Sequence, residues 1–200
     1  MSGRARSEGR CPRCLLHERA CSCARGPRLA TRTRVVLVVH RDEIHKPTNS
    51  GLLAVASLLN SEAHVRGLRD GEAPALAFDA ETQPLLLFPH ADAEPIARFT
   101  ASSRPITLVV PDGTWRQAAR VRRRVPGLAA LPCVALPAEA TASARIRAQP
   151  HDERLPTLVA IARALGILEG AAVRDALEDV FAALVERTLD RRGTRRTAGP

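Results

Sequence analysis

Asp112-Gly113-Thr114-Trp115 places a carboxylate, a position without a side chain, a hydroxyl and the chain's single tryptophan in four consecutive residues. A positioned carboxylate can take a proton from a substrate, the glycine lets a ligand or neighbouring backbone come close, and an indole at a polar turn can stack on a base or a cation. A second polar block, His40-Arg-Asp-Glu43-Ile-His-Lys46-Pro-Thr48-Asn49-Ser50-Gly51, adds further proton acceptors in His40 and Glu43. Its Thr48, Asn49, Ser50 and Gly51 have the residue types that cap a helix start. They could equally present free backbone N–H groups to a carboxylate or phosphate. Arg116, Arg120, Arg122, Arg123 and Arg124 follow the tryptophan, either as a solvated helix face or as a surface that tracks phosphates. At the front, Cys11-x-x-Cys14 and Cys21-x-Cys23 put four thiols within thirteen residues. Two close pairs can bend around one tetrahedral Zn²⁺, and four sulfur ligands leave no open position, so the metal would be structural. His17 reads as solvent-facing and Cys133, inside an apolar run, as a core residue.

Composition bounds what can hold these groups. The chain has 200 residues, 30 basic and 21 acidic side chains, a net charge of +9 and 45% apolar residues, enough for one packed domain with a small appendage. Residues 1–34 carry nine arginines and two glutamates, a balance of +7, which leaves only +2 for the rest. The basic signal is mainly a head. Apolar runs such as Val35 to Val39 are far shorter than the ~20 residues that cross a bilayer, and the first ten residues lack the apolar stretch of a secretory signal. With an odd cysteine count that suits a metal clip better than disulfides, the expectation is a soluble, cytoplasmic protein.

The positioning elements follow from periodicity. Arg34-Val-Val-Leu-Val-Val-His40 is a β-branched run bounded by polar residues, the pattern of a parallel strand buried on both faces. Leu52 to Leu59 reads as a helix started by Thr48-Asn49-Ser50. Strands are expected at Pro84 to Pro89, Ile106 to Val110 and Leu131 to Leu136. Helices are expected at Asp92 to Phe99, Trp115 to Arg124, Thr157 to Leu168 and Ala171 to about Asp190. The last carries an apolar stripe of Val173, Leu177, Val180, Phe181, Leu184 and Leu189. Strand, loop, helix repeats, and the sum is an α/β sheet domain. Residues 1–33 form a cysteine-rich basic segment, 34–191 the main domain and 192–200 a loose tail. Both polar blocks fall after buried strands, at the edge where open α/β sheets bind ligands.

Taken together, these blocks resemble the DTW-domain proteins, a family of tRNA-uridine aminocarboxypropyltransferases. The resemblance covers most of the chain: the four cysteines, the His40-x-x-Glu43-x-x-Lys46-x-Thr48-Asn49-Ser50-Gly51 block, the Asp-x-Thr-Trp signature at Asp112 to Trp115, and Arg147 leading to Leu155-Pro156-Thr157. It implies a SPOUT-like, mostly parallel sheet with helices on both faces and a knotted C-terminal half, preceded by a zinc-knuckle-like module. It also implies S-adenosylmethionine as co-substrate and transfer of its 3-amino-3-carboxypropyl group to N3 of a tRNA uridine, with no membrane or obligate protein partner. Asp112 is then the first candidate for the base that takes the N3 proton, with Glu43 or His40 as substitutes. The Gly113 backbone and Thr114 would position the cofactor or that carboxylate, Trp115 would wall the pocket or stack on a base or the sulfonium, and Thr48 to Gly51 would grip the amino-acid end of the cofactor. Leu155 would make a further cofactor contact, Arg147 and Thr157 would contact cofactor or RNA, and the zinc head with the Arg116 to Arg124 face would hold RNA phosphates. Two other readings stay open at this point: an RNA methyltransferase, if the sulfonium presents its methyl carbon instead, and a zinc-bearing RNA-binding module without catalysis.

Overall fold

The structure, a computed structural model, describes residues 26–46, 49–67, 75–138 and 155–191. Among these residues six strands pair side by side in parallel throughout: β1 (Arg34–His40), β2 (Ser61–Arg66), β3 (Gln83–Leu87), β4 (Glu94–Pro95), β5 (Ile106–Asp112) and β6 (Cys133–Ala135). Their order is β2-β1-β5-β3-β6-β4. Five helices accompany them: α1 (Ser50–Ser57), α2 (Trp115–Ala119), α3 (Val121–Arg124), α4 (Thr157–Leu168) and α5 (Ala171–Arg191).

The continuous Val/Leu runs of β1 and β5 are explained by burial on both sides. Val35, Leu37 and Val39 of β1, with Leu108 and Val110 of β5, pack against α1, α4 and Leu177 of α5. Val36, Val38 and Val109 face the other way, onto Ala118 of α2, Val121 of α3, and Val125, Leu128 and Leu131 beyond it. Period-two alternation therefore feeds two cores instead of one core and solvent. Each fully buried leucine contributes roughly 1.5–3 kcal/mol. Burial on both faces makes β1 and β5 a rigid base for whatever projects from their ends.

β1 leads through α1 to β2 on one side, whereas β5 leads through α2 and α3 to β6 on the other. The switch in winding direction falls between β1 and β5, and the carboxyl ends of strands at such a switch are where open α/β sheets bind ligands. Both polar blocks identified in the sequence start there.

Several elements depart from the sequence reading. β2, Ser-Glu-Ala-His-Val-Arg, was not anticipated, because as an edge strand it is only half-buried and carries polar residues on both faces. The helix expected at Asp92 to Phe99 is the two-residue strand β4 followed by a 3-10 turn, Ile96–Phe99. Pro95, which lacks an N–H, fits this edge position. The helix expected from Trp115 to Arg124 breaks at Arg120 into α2 and α3, which bury Ala118 and Val121. Residues 29–33 are held by the sheet domain: Leu29 N–H donates to Ser57 O at 2.9 Å, and Thr33 N–H and Oγ1 both donate to Glu169 Oε1. Cys133 is buried as expected. The four clustered cysteines and the tail after 191 lie outside the described residues. Among the described residues no helix is long and apolar enough to cross a membrane.

Candidate active site

Alternation along β5 turns Ile106, Leu108, Val110 and Asp112 to the face covered by α1 and α4. Asp112 is the last residue of the strand, only 7% exposed, and its carboxylate lies between the starts of those two helices. Asn49 is the N-cap of α1: its Oδ1 accepts from Leu52 N–H at 2.9 Å, worth about 0.5–2 kcal/mol to the helix. That bond fixes the amide orientation, so Nδ2 points the other way and donates to Asp112 Oδ2 at 2.9 Å and to Glu43 O at 3.2 Å. Thr157 is the first residue of α4, and its hydroxyl donates to Asp112 Oδ1 at 2.6 Å. One carboxylate thus ties β5, α1 and α4 together.

Gly51 makes this approach possible. A Cβ there would sit 3.1 Å from both Cγ and Oδ2 of Asp112 and 3.2 Å from Leu37 Cδ1. Gly113 has a comparable role on the other side, where φ is +154° and a Cβ would lie 2.9 Å from Gln117 Oε1. That oxygen accepts from Thr114 N–H at 2.8 Å, while Thr114 Oγ1 accepts from Gln117 N–H, a capping box that starts α2 and sets the position of Trp115.

Burial raises the Asp112 pKa above its ordinary value near 3.8. The Thr157 and Asn49 hydrogen bonds oppose that shift, and the Glu43 carboxylate adds to it. Glu43 itself lies at the same strand end, ion-paired to Lys46 at 2.6 Å. His40 is elsewhere. It shares the parity of Val36 and Val38, so its ring lies on the α2 face of the sheet, over Gly67, where burial and then Arg66 lower its pKa.

Next to Asp112 a cavity of about 520 Å³ opens over the ends of β3, β5 and β6, within the range typical of small-molecule sites. Its walls include Val110, Gly113, Trp115, Leu155 and Thr157, with Leu87, Phe88 and Val134 to Leu136 opposite. Trp115 is 48% exposed at this cavity, its ring 4.7 Å centroid to centroid from Phe88, which in turn lies 4.7 Å from His90.

Of the residues singled out in the sequence, the structure thus brings together Asp112, Asn49, Gly51, Glu43 and Thr157 in one cluster. Gly113, Trp115, Leu155 and Thr157 line the cavity. Thr157 belongs to both. Ser50 lies beside them, its Oγ 3.4 Å from Leu158 N–H, but neither it, Asn49 nor Gly51 lines the cavity. Thr48 and Arg147 lie outside the described residues. Arg116, Arg120, Arg123 and Arg124 are exposed, whereas Arg122 is held by Asp92 at 2.7 Å and by the carbonyls of Ala129 and Leu131. Phe88 was missed in the sequence, although it closes an apolar strand at the edge where such sheets bind ligands. Among the described residues no three His, Cys, Asp or Glu side chains converge as a metal site.

The fold and this site define a doubly wound α/β protein with a cavity at the carboxyl ends of parallel strands and one buried carboxylate beside it. The DTW domain model matches residues 8–189, so the chain belongs to the DTW-domain family. It is similar to tRNA-uridine aminocarboxypropyltransferase 2 of Drosophila melanogaster, 40% identical over 87 residues, which are 44% of this chain and 35% of that protein. It is also similar to tRNA-uridine aminocarboxypropyltransferase 2 of Macaca fascicularis, 29% identical over 175 residues, 82% of this chain and 58% of the relative. The chain thus spans less than two thirds of either relative. No solved structure matches it.

Proposed function

We propose that the protein transfers the 3-amino-3-carboxypropyl group of S-adenosylmethionine to N3 of a tRNA uridine, giving acp3U and 5'-methylthioadenosine. The observation that carries this reading is a buried, proton-hungry carboxylate, Asp112, linked by the Thr157 hydroxyl to a cavity with an exposed tryptophan at its wall. The names of the relatives supply the reaction, and the cavity suits a donor of that size. The SPOUT-like knotted fold belongs to the same proposal, supported by the all-parallel sheet and by α4 returning to the ends of β1 and β5.

A sulfonium has three carbons open to attack. Which one reacts is set by which is held in line with the nucleophile. In the proposed step uridine N3 attacks Cγ of the methionine moiety, the Cγ–S bond breaks with its electron pair left on sulfur, and the N3 proton leaves. Asp112 does not line the cavity, but Thr157 does. The proton therefore passes from N3 to Thr157 Oγ1 as the threonine proton moves to Asp112 Oδ1 across the 2.6 Å hydrogen bond. Trp115 provides the stacking face for a nucleobase. Glu43 tunes Asp112 through charge, and His40, on the opposite face of the sheet, takes no part in this route.

The deciding experiment uses tRNA and two donors, one labelled in the methyl and one in the carboxyl carbon. Carboxyl label entering the RNA is the expected result, and methyl label alone would make the protein a methyltransferase. Trp115→Ala should weaken tRNA binding about 5- to 150-fold, the loss of one stacked base, with little change in melting temperature because the ring is half exposed. Asn49→Ser keeps a capping oxygen on α1 but removes the amide donor to Asp112. The acid limb of the kcat/KM profile, already above pH 3.8 in the parent because burial raises the Asp112 pKa, should move further up. A limb left in place would show that Asp112 does not titrate in the reaction.

Cys11, Cys14, Cys21 and Cys23 are proposed to hold one structural Zn²⁺. Their spacing supports this, and elemental analysis should find about one metal per chain.

A further inference from the structure

We infer that Arg66, at the end of β2, together with exposed Arg124, forms a seat for a backbone phosphate of the bound nucleic acid, on the face of the sheet opposite Asp112. Arg66 is only 6% exposed. A buried guanidinium is ordinarily matched by a carboxylate, because a charge taken out of water without a partner is costly. No acidic side chain among the described residues pairs with Arg66. Among the described residues its one side-chain hydrogen bond runs from Nη2 to the carbonyl of Gln117 at 2.7 Å, and the buried Nε has no acceptor. The charges that reach it are cationic or titratable toward cationic: Arg124, and His40, its register partner on β1. Asp42 pairs with His40 at 3.2 Å, which leaves a buried guanidinium with no carboxylate of its own beside a second arginine. An anion would complete it, and a planar fork beside a second arginine suits a phosphate oxygen pair.

The position indicates whose phosphate it is. Gln117, which accepts from Arg66 through its carbonyl, also closes the capping box with Thr114 and so fixes Trp115 two residues earlier. The Trp115 ring itself leans on Phe88 at the end of β3, three strands from β2 in the sheet order and hence about 14 Å across the strand ends. A strand of nucleic acid with one base stacked on Trp115 would reach Arg66 and Arg124 with a neighbouring phosphate, by running across the ends of β5 and β1. This inference rests on the reading of Trp115 as a nucleobase platform in a tRNA-binding enzyme. Nothing in the sequence marks Arg66, because β2 has no strong strand pattern and a lone arginine does not stand out in a basic chain.

The test is the affinity of the full chain for tRNA as a function of KCl concentration, for the parent, Arg66→Gln, Arg66→Lys and Arg124→Gln. Removing one arginine–phosphate interaction lowers the slope of log K against log salt by just under one. Arg66→Gln and Arg124→Gln should each show that reduction and bind about ten- to a hundredfold more weakly, whereas Arg66→Lys, which keeps the charge, should keep the slope and lose only affinity. Unchanged slopes in both glutamine variants would overturn the inference and leave Arg66 as an internal support of α2. Should Arg66→Gln not fold, Arg124→Gln, altered at an exposed side chain, and Arg66→Lys decide the matter in the same assay. The two proposals fail separately. Label transfer with unaltered slopes removes only the phosphate seat, and altered slopes without transfer of label remove only the enzymatic reading.

Discussion

Asp112→Asn is expected to lower kcat by about 10²–10⁴, the usual worth of a positioned acid–base group, in a protein that remains folded. The substitution preserves shape, and its effect on stability combines two opposed terms. At neutral pH it removes a charge that burial disfavours, as the raised pKa shows. It also places an amide nitrogen against the donor Nδ2 of Asn49, if its oxygen is kept for Thr157. Because the two oppose each other, the melting temperature should move by less than the roughly 2–4 °C that loss of one hydrogen bond, about 1 kcal/mol, would cause. Linkage supplies an independent check. A carboxylate whose pKa is raised in the fold holds its proton more tightly there than in the unfolded chain. Stability contributed by Asp112 should therefore fall as pH rises from 3.8 through the folded-state value and stay level above it. That slope should vanish in the asparagine variant. Full transfer activity in Asp112→Asn would remove the carboxylate from the mechanism, whatever the stability data show.

Thr157→Val should cost nearly as much activity, and Thr157→Ser should restore most of it. Valine matches threonine in shape but has no hydroxyl to carry the proton between the cavity and Asp112 Oδ1. Serine keeps the hydroxyl at the first position of α4. If Thr157 merely held the helix in place, the serine variant would be the more harmful of the two on packing grounds, since it removes a methyl group. If it only tuned Asp112, valine would shift the acid limb upward and leave the plateau rate intact. Loss of the plateau in valine with recovery in serine is the pattern expected of a relay, and it is read from single-turnover rates across pH. S-adenosylmethionine binding, measured by calorimetry, should change by much less than the rate in both variants.

Much of this was legible in the chain itself, for identifiable reasons. The runs at β1 and β5 are uninterrupted β-branched and leucine residues because both faces of those strands are covered, and a strand with one face in water would alternate instead. Asn49 could be recognised as a cap and α4 placed to the residue, because capping and helical periodicity are local. The edge at which the cavity opens was legible because the polar blocks follow buried strands. β2 was hidden, since an edge strand with one neighbour carries no strong apolar pattern. Phe88 read as one more strand residue.

Residue types and local periodicity determined by themselves the α/β class and the two polar blocks, with Asp112 as a carboxylate at a strand end. Only the tertiary structure decided which neighbours that acid has. Asn49, Gly51 and Thr157 stand 63, 61 and 45 residues away from it, and chain order carries no information on distances closed by a parallel sheet and its crossovers. The same geometry put His40 on the far face and left Arg66 buried with no carboxylate partner among the described residues. Both follow from strand parity and pairing, because a one-residue step along a strand turns a side chain to the opposite side of the sheet.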